Sequence, residues 1–159
     1  MARGKQSKVR KIDADPVHAS VMVTKLINRS MYDGKRSVAA TEVYRALEII
    51  SEKSGENGVE VFEKALNNIR PVMEVRPRRI GGAAYQVPMS VRGRRQDSLA
   101  IRWLIESARA RSNSEYHTYA EKIAAELLDA VKNEGGAMRK RAEVEKVAEA
   151  NKAFAHFRW

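Results

Sequence analysis

The stretch Arg70–Met89, RPVMEVRPRRIGGAAYQVPM, constrains the fold of this chain more than any other. It is the only segment that reads as strand. Val72, Met73, Val75 and Ile80 precede Gly81-Gly82, and Tyr85, Val87 and Met89 follow. A Gly-Gly pair between such runs signals a two-residue hairpin loop, because the favoured tight turns need positive φ. With Gly81 and Gly82 as the tip, Ile80 pairs with Ala83, Arg78 with Tyr85, Arg76 with Val87 and Glu74 with Met89. Pro77 and Pro88 then fall inside the two strands. Proline cannot donate to a ladder, so each strand needs an open edge. The expectation is a lone two-stranded ribbon at about 72–89. Roughly nine residues per strand at ~3.3 Å give it a reach of about 30 Å. Such a ribbon is marginal in water by itself and is expected to be mobile in the free protein. It carries Arg70, Arg76, Arg78 and Arg79 against one acid, Glu74. A polyanion would complete it.

The flanking sequence is helical. Asp15-Pro16 opens a first helical region, with Val23, Leu26 and Ile27 on its apolar face and Gly34 at its end. A second helix starts near Arg36. Its Val43, Ala46, Leu47 and Ile50 fall on one stripe, and Gly55 stops it. A third places Phe62, Ala65, Leu66 and Ile69 at the same spacing, just before Pro71. After the ribbon, a fourth runs from about Gly93 to Arg111 on Ile101, Leu104, Ile105 and Ala108. Arg95, Arg102 and Arg109 recur along it every seven residues, about 110° round from the apolar stripe at 100° per residue. A fifth uses Tyr119, Ile123, Leu127 and Val131 and breaks at Gly135-Gly136. A sixth uses Val144, Val147 and Ala148 and carries Arg139, Lys140 and Arg141. The reading is a mainly α, six-helix bundle-like single domain over 12–159, with a protruding two-stranded β-hairpin between helices three and four. Residues 1–11 form a basic tail.

Charge narrows the partners. The 159 residues carry a formal net charge of +10, with no cysteine. The tail holds Arg3, Lys5, Lys8, Arg10 and Lys11 and no acid. Counterion release rewards such segments on RNA. No disulfide frame or Cys-type zinc site is possible. No apolar run approaches the ~20 residues of a membrane span, and the N-terminus lacks the apolar core of a secretory signal. The chain reads as intracellular and soluble.

Catalytic and ligand motifs are wanting. Gly55-Glu56-Asn57-Gly58 matches the GXXG loop that clamps nucleotide backbones. Yet Glu56 puts the wrong charge at a phosphate, and no strand precedes the first helix, so a plain interhelical turn is expected. Gly34-Lys35-Arg36 lacks the rest of a phosphate-binding loop. His18, His117 and His156 are scattered, without ligand spacing. No metal, cofactor or enzyme is read from these residues. Phe154, Phe157 and Trp159 close the chain. Terminal aromatics either stack on bases or pin the last turn onto protein, and both readings stand.

The stretch VRPRRIGGAAYQVPM (Val75–Met89), the Arg102-Trp103 pair, AAELLDA (Ala124–Ala130), GGAMRKR (Gly135–Arg141) and AEANKAFAHFRW (Ala148–Trp159) resemble bacterial-type ribosomal protein seven of the small subunit. The resemblance runs from about Arg10 to the last residue. It departs mainly at Ser112–Tyr116, a longer and more polar linker, and in the first ten residues. It implies six helices with a protruding hairpin. It also implies a structural constituent of the small ribosomal subunit, on a cytoplasmic or organellar ribosome. Such a protein is a primary binder of the 3′ major domain of small-subunit rRNA and nucleates head assembly. It lies near exit-site tRNA and the mRNA path and touches ribosomal protein eleven of the small subunit. Family members also repress translation of their own operon's messenger.

The sequence therefore predicts a non-enzymatic RNA-binding surface made of Arg3, Lys5, Lys8, Arg10, Lys11, Lys35, Arg36, Arg76, Arg78, Arg79, Tyr85, Arg92, Arg94, Arg95, Arg102, Arg109, Arg139, Lys140 and Arg141, with Gly81 and Gly82 at the hairpin tip. Tyr85 is expected to stack on a base or on Arg78. The alternatives are a DNA-binding or architectural protein that lays the ribbon in a groove, and an RNA-modifying or RNA-cleaving enzyme for which no residue can be nominated.

Overall fold

The computed structural model describes residues 11–157, so Arg3, Lys5, Lys8, Arg10 and Trp159 lie outside the described residues. In chain order the elements are α1 (Val21–Ser30), α2 (Arg36–Ser54), α3 (Gly58–Ile69), β1 (Met73–Ile80), β2 (Ala83–Ser90), α4 (Arg94–Ala110), α5 (Tyr119–Val131) and α6 (Gly136–Ala150). A short 3-10 turn, Lys152–Phe157, follows. The fold is mainly helical, with the antiparallel hairpin between the third and fourth helices, as the residue pattern predicts.

The helices share one apolar cluster, and α5 lies at its centre, packed on α2, α3 and α4. Its buried face differs from the expected one. Ile123 and Leu127 are fully buried, but their companions are Ala120, Ala124 and Ala130, while Tyr119 and Val131 are only half-buried. Positions four apart advance 40° beyond a full turn, so a run of three such steps walks off the face. Alanines let three neighbours approach closely. Thr118 and Glu121 close a capping box at its start. The buried arc of α4 is equally wide: Leu99, Ala100, Ile101, Trp103, Leu104, Ile105 and Ala108. By contrast α6 is peripheral, burying Ala137 and Ala148 while Val147 stays 45% exposed.

Two helix ends depart from expectation. Asp15 does cap a turn: its Oδ2 accepts the Val17 and His18 N–H groups, both at 3.1 Å. That turn stops at Ala19 (φ +51°), and α1 begins only at Val21. Likewise α1 ends at Ser30, leaving Gly34 in the loop beyond it. The Gly55–Gly58 segment is the plain interhelical turn expected. The Gly58 N–H donates to Ser51 Oγ, and a Cβ on Gly58 would stand 2.4 Å from the Leu47 carbonyl oxygen. Its glycine thus serves close packing of α2 on α3.

A buried ionic knot ties α4, α5 and α6. Glu126, 1% exposed, accepts from Arg111 Nε at 2.8 Å through Oε2 and from the Ala137 N–H at 2.8 Å through Oε1. Arg111 also pairs with Asp129, and Lys122 donates to the Arg111 carbonyl at 2.6 Å. Breaking a buried pair strands the surviving charge. Replacing Glu126 by alanine is expected to cost about 3–5 kcal/mol in urea unfolding; a loss under about 1 kcal/mol would mark the knot as equivalent to a surface pair.

Asp15, 2% exposed, also accepts the Tyr44 hydroxyl at 2.7 Å. Burial pushes its carboxyl up, but the Tyr44 hydroxyl and the His18 and Val17 N–H groups outweigh that and hold it below the usual carboxylate range. A depressed folded pKa contributes stability above the unfolded value, and that stability is lost as pH falls through the folded one. The stability gap between the protein and Asp15→Asn should therefore be constant near neutrality and close below about pH 4. A gap unchanged by acid would contradict this assignment.

Candidate nucleic-acid interface

The strand register is the one the Gly-Gly tip dictates. Ile80 pairs with Ala83, Arg78 with Tyr85, Arg76 with Val87 and Glu74 with Met89. Gly81 and Gly82 adopt φ +57° and +92°, which their missing Cβ permits. Each strand has eight residues, a little shorter than expected. Since side chains alternate across a ribbon, Glu74, Arg76 and Arg78 share one face with Tyr85 and Val87, while Arg79 leaves on the other.

The hairpin is anchored along its lower half. Val87 is fully buried, and the Val91 N–H donates to the Val72 carbonyl at 2.9 Å. Strand β1 packs on α6, and β2 packs on the 3-10 turn. There the Tyr85 ring meets Phe154 and Phe157, with centroids 5.3 and 5.4 Å away. Of the two partners expected for Tyr85, Arg78 is not the one its ring packs on within the protein: the C-terminal phenylalanines are. The same contacts decide the role of Phe154 and Phe157, which pin the chain's end onto the hairpin.

The expected arginines and lysines divide by the company they keep. Among the described residues, the side chains of Arg78, Arg79, Arg92 and Arg94 make no hydrogen bond or ion pair within the protein. Lys11, Lys35 and Arg36 are exposed, the last two in the α1–α2 connection and at its exit. Arg76 and Arg95 both bond Glu74 at the root of the hairpin. Arg70 is taken by Asp97, at 3.0 Å from Nε to Oδ1.

The seven-residue arginine repeat on α4 keeps one flank of the helix but meets a different environment at each step. Arg102 is half-buried, with a buried Nε that has no partner. Arg109 folds back. It donates to the Ser30 carbonyl at 3.0 Å and lies over the Tyr32 ring at 4.1 Å. On α6, Arg141 bonds Glu145 at 3.0 Å as well as the Asn68 carbonyl, so it is structural. Lys140 pairs with Glu143 at 2.8 Å, and Arg139 is exposed.

Two exposed side chains beside this basic surface escaped the sequence reading. Arg29, exposed on α1, lines a groove with Lys25 and Arg94. Tyr32, 63% exposed, covers Arg109 in a cleft that also includes Lys35. The Lys25–Arg29 spacing of four was the available signal for the first. Among the described residues, no cluster of His, Cys, Asp or Glu is placed to hold a metal ion, and no helix is long and apolar enough to cross a membrane.

The class so defined is a basic helical protein with an anchored, arginine-bearing hairpin arm. The chain belongs to the ribosomal protein S7p/S5e family, whose model matches residues 2–152. It is 53% identical over 159 residues to small ribosomal subunit protein uS7 of a Sulfurihydrogenibium species, covering all of both chains. It is 56% identical over 150 residues to the protein of that name from a Thermoanaerobacter species, covering 94% of each. With the Helicobacter hepaticus protein it shares 52% over 157 residues, 99% of each. Members of this family are structural, non-enzymatic components of the small ribosomal subunit, which overturns the enzyme alternative.

Anchoring at the root and freedom at the tip should grade the hairpin's dynamics. Hydrogen exchange is expected to be slow at Arg76, Val87 and Val91 and fast at Gly81–Ala84, and Phe154→Ala should accelerate exchange at Tyr85 and its neighbours. Uniformly fast exchange along both strands would show that the packing on α6 and the 3-10 turn does not hold the arm in solution.

Proposed function

We propose that this protein binds the 3′ major domain of small-subunit ribosomal RNA and nucleates assembly of the subunit head. The observation that carries this reading is the run of unpartnered arginines from the hairpin to the start of α4: Arg78, Arg79, Arg92 and Arg94. Unpaired guanidiniums on a protein surface are forks ready for phosphate, and each one neutralised releases counterions. Lys35, Arg36, Arg29 and Arg139 extend the surface, and residues 1–11 extend it as a basic tail. The reading treats 12–159 as a single helical RNA-binding domain. Arg102 and Arg109, held under Tyr32, serve it by shaping the α4 face, and Arg141 by fixing α6.

Membership of the family supports the wider placement on the small subunit, in the cytoplasm of a bacterium, as its bacterial relatives suggest. We place the free end of the arm near exit-site tRNA and the mRNA path. We assign the contact with ribosomal protein eleven to the apolar surface where Val72, 58% exposed, borders α6. One RNA-binding surface can also serve a messenger that presents the same shape, which makes repression of its own operon compatible with this role.

The test is a titration across salt concentrations against the 3′ major domain fragment, an unrelated folded RNA of equal length, and duplex DNA. Preference for the ribosomal fragment should persist at high salt. The double variant Arg78→Ala, Arg79→Ala should bind more weakly and lower the salt slope by about 1–2, with unchanged helix content. Equal affinities for all three nucleic acids that collapse together with salt would reduce the surface to general basicity, and an unaltered slope would remove the hairpin from it.

A further inference from the structure

Glu74 is the one acid of the hairpin, and it sits at the arm's root with its side chain 9% exposed. A carboxylate so buried needs partners for its charge. It has two, and divides its oxygens between them. Oε1 accepts from Nε of Arg76 at 2.6 Å, and Nη2 of the same guanidinium lies 2.6 Å from it in ion-pair contact. Oε2 accepts from Nε of Arg95 at 3.1 Å, with Nη2 in ion-pair contact at 3.0 Å. Arg76 comes from β1, and Arg95 from the first turn of α4. Both present the same guanidinium edge to the acid, so both keep the Nη1 edge away from it. The arginine side chains remain 52% and 49% exposed.

We propose that Glu74 is a positioning residue for RNA: it holds Arg76 and Arg95 side by side so that their Nη1 edges together receive a backbone phosphate. The inference rests on the RNA-binding reading above and deepens it. Two guanidiniums repel at close range, and a shared carboxylate offsets that repulsion. It also fixes two side chains that otherwise lose rotamer freedom on binding. A guanidinium held by one edge still offers parallel donors on the other, the geometry that suits phosphate. The acid that lowers the net charge of the arm therefore strengthens its grip.

That sign makes the proposal testable. The probe is the 3′ major domain fragment of small-subunit rRNA, titrated with the full-length protein. Glu74→Gln keeps the volume and removes one negative charge. Were the surface to act by charge alone, it would bind more tightly with a steeper salt slope. Positioning predicts weakening of roughly tenfold, the scale of re-ordering two arginine side chains. Glu74→Asp keeps the charge and withdraws the carboxylate by one methylene, and it too should weaken binding. Both effects should vanish in an Arg76→Ala, Arg95→Ala background, which itself binds less tightly than the parent. Helix content and thermal midpoint are measured alongside. Should Glu74→Gln unfold the arm, the charge-preserving Asp variant carries the test. Tighter or unchanged binding by both variants overturns the proposal while leaving the RNA reading intact. So does an equal loss in both backgrounds, which would make Glu74 a structural staple. If the arginine double variant binds like the parent, these arginines are not part of the RNA surface at all.

Discussion

Everything in this molecule is referred to the burial of α5. A helix covered on three sides by α2, α3 and α4 must be narrow, and Ala120, Ala124 and Ala130 make it so. Close packing of this kind leaves little room for relaxation, so the surrounding helices are fixed in angle and spacing. The Glu126 knot then transmits that order outward. It binds the end of α4 through Arg111 and the start of α6 through the Ala137 N–H. Because α6 and the 3-10 turn carry the lower half of the hairpin, the arm's direction is set by a core that it does not enter.

Acids decide what each arginine does. Asp97 takes Arg70 and Lys25, joining the hairpin's root and α1 to the start of α4. Glu126 and Asp129 take Arg111, and Glu145 takes Arg141. These bases are internal mortar. Among the described arginines left without acids, Arg78, Arg79, Arg92 and Arg94 lie from the hairpin's free half to the start of α4, where a polyanion can reach them. A basic protein thereby keeps two populations of one residue type, sorted by whether an acid from another element arrives beside it. Glu74 stands between the two groups, with one flank in the structure and its partners' free edges in solvent.

The hairpin was legible because its determinants are local. Gly81-Gly82 fixes the turn, the turn fixes the register, and Pro77 and Pro88 forbid further strands. Stripes on α2 and α3 were legible for the same reason, since 3.6-residue periodicity needs no knowledge of the partner. The start of α1 was less so. Asp15 and Pro16 do form a capped turn, but Ala19 in the left-handed region separates it from the helix, and no propensity signals an alanine there.

The sequence by itself determined the helical class, the hairpin with its register, the excess of positive charge and the membership of a ribosomal protein family. Tertiary structure alone decided how that charge is deployed. Arg102 and Arg109 share a helical repeat with Arg95, yet one is half-buried, one is folded onto Tyr32, and one shares Glu74 with Arg76. Tyr85 is an exposed-looking aromatic in the chain and a packing partner of Phe154 in space. The reason is range: turns and periodicity act over a few residues, whereas an ion pair or ring contact joins groups that are distant in sequence, and no local pattern records which will meet.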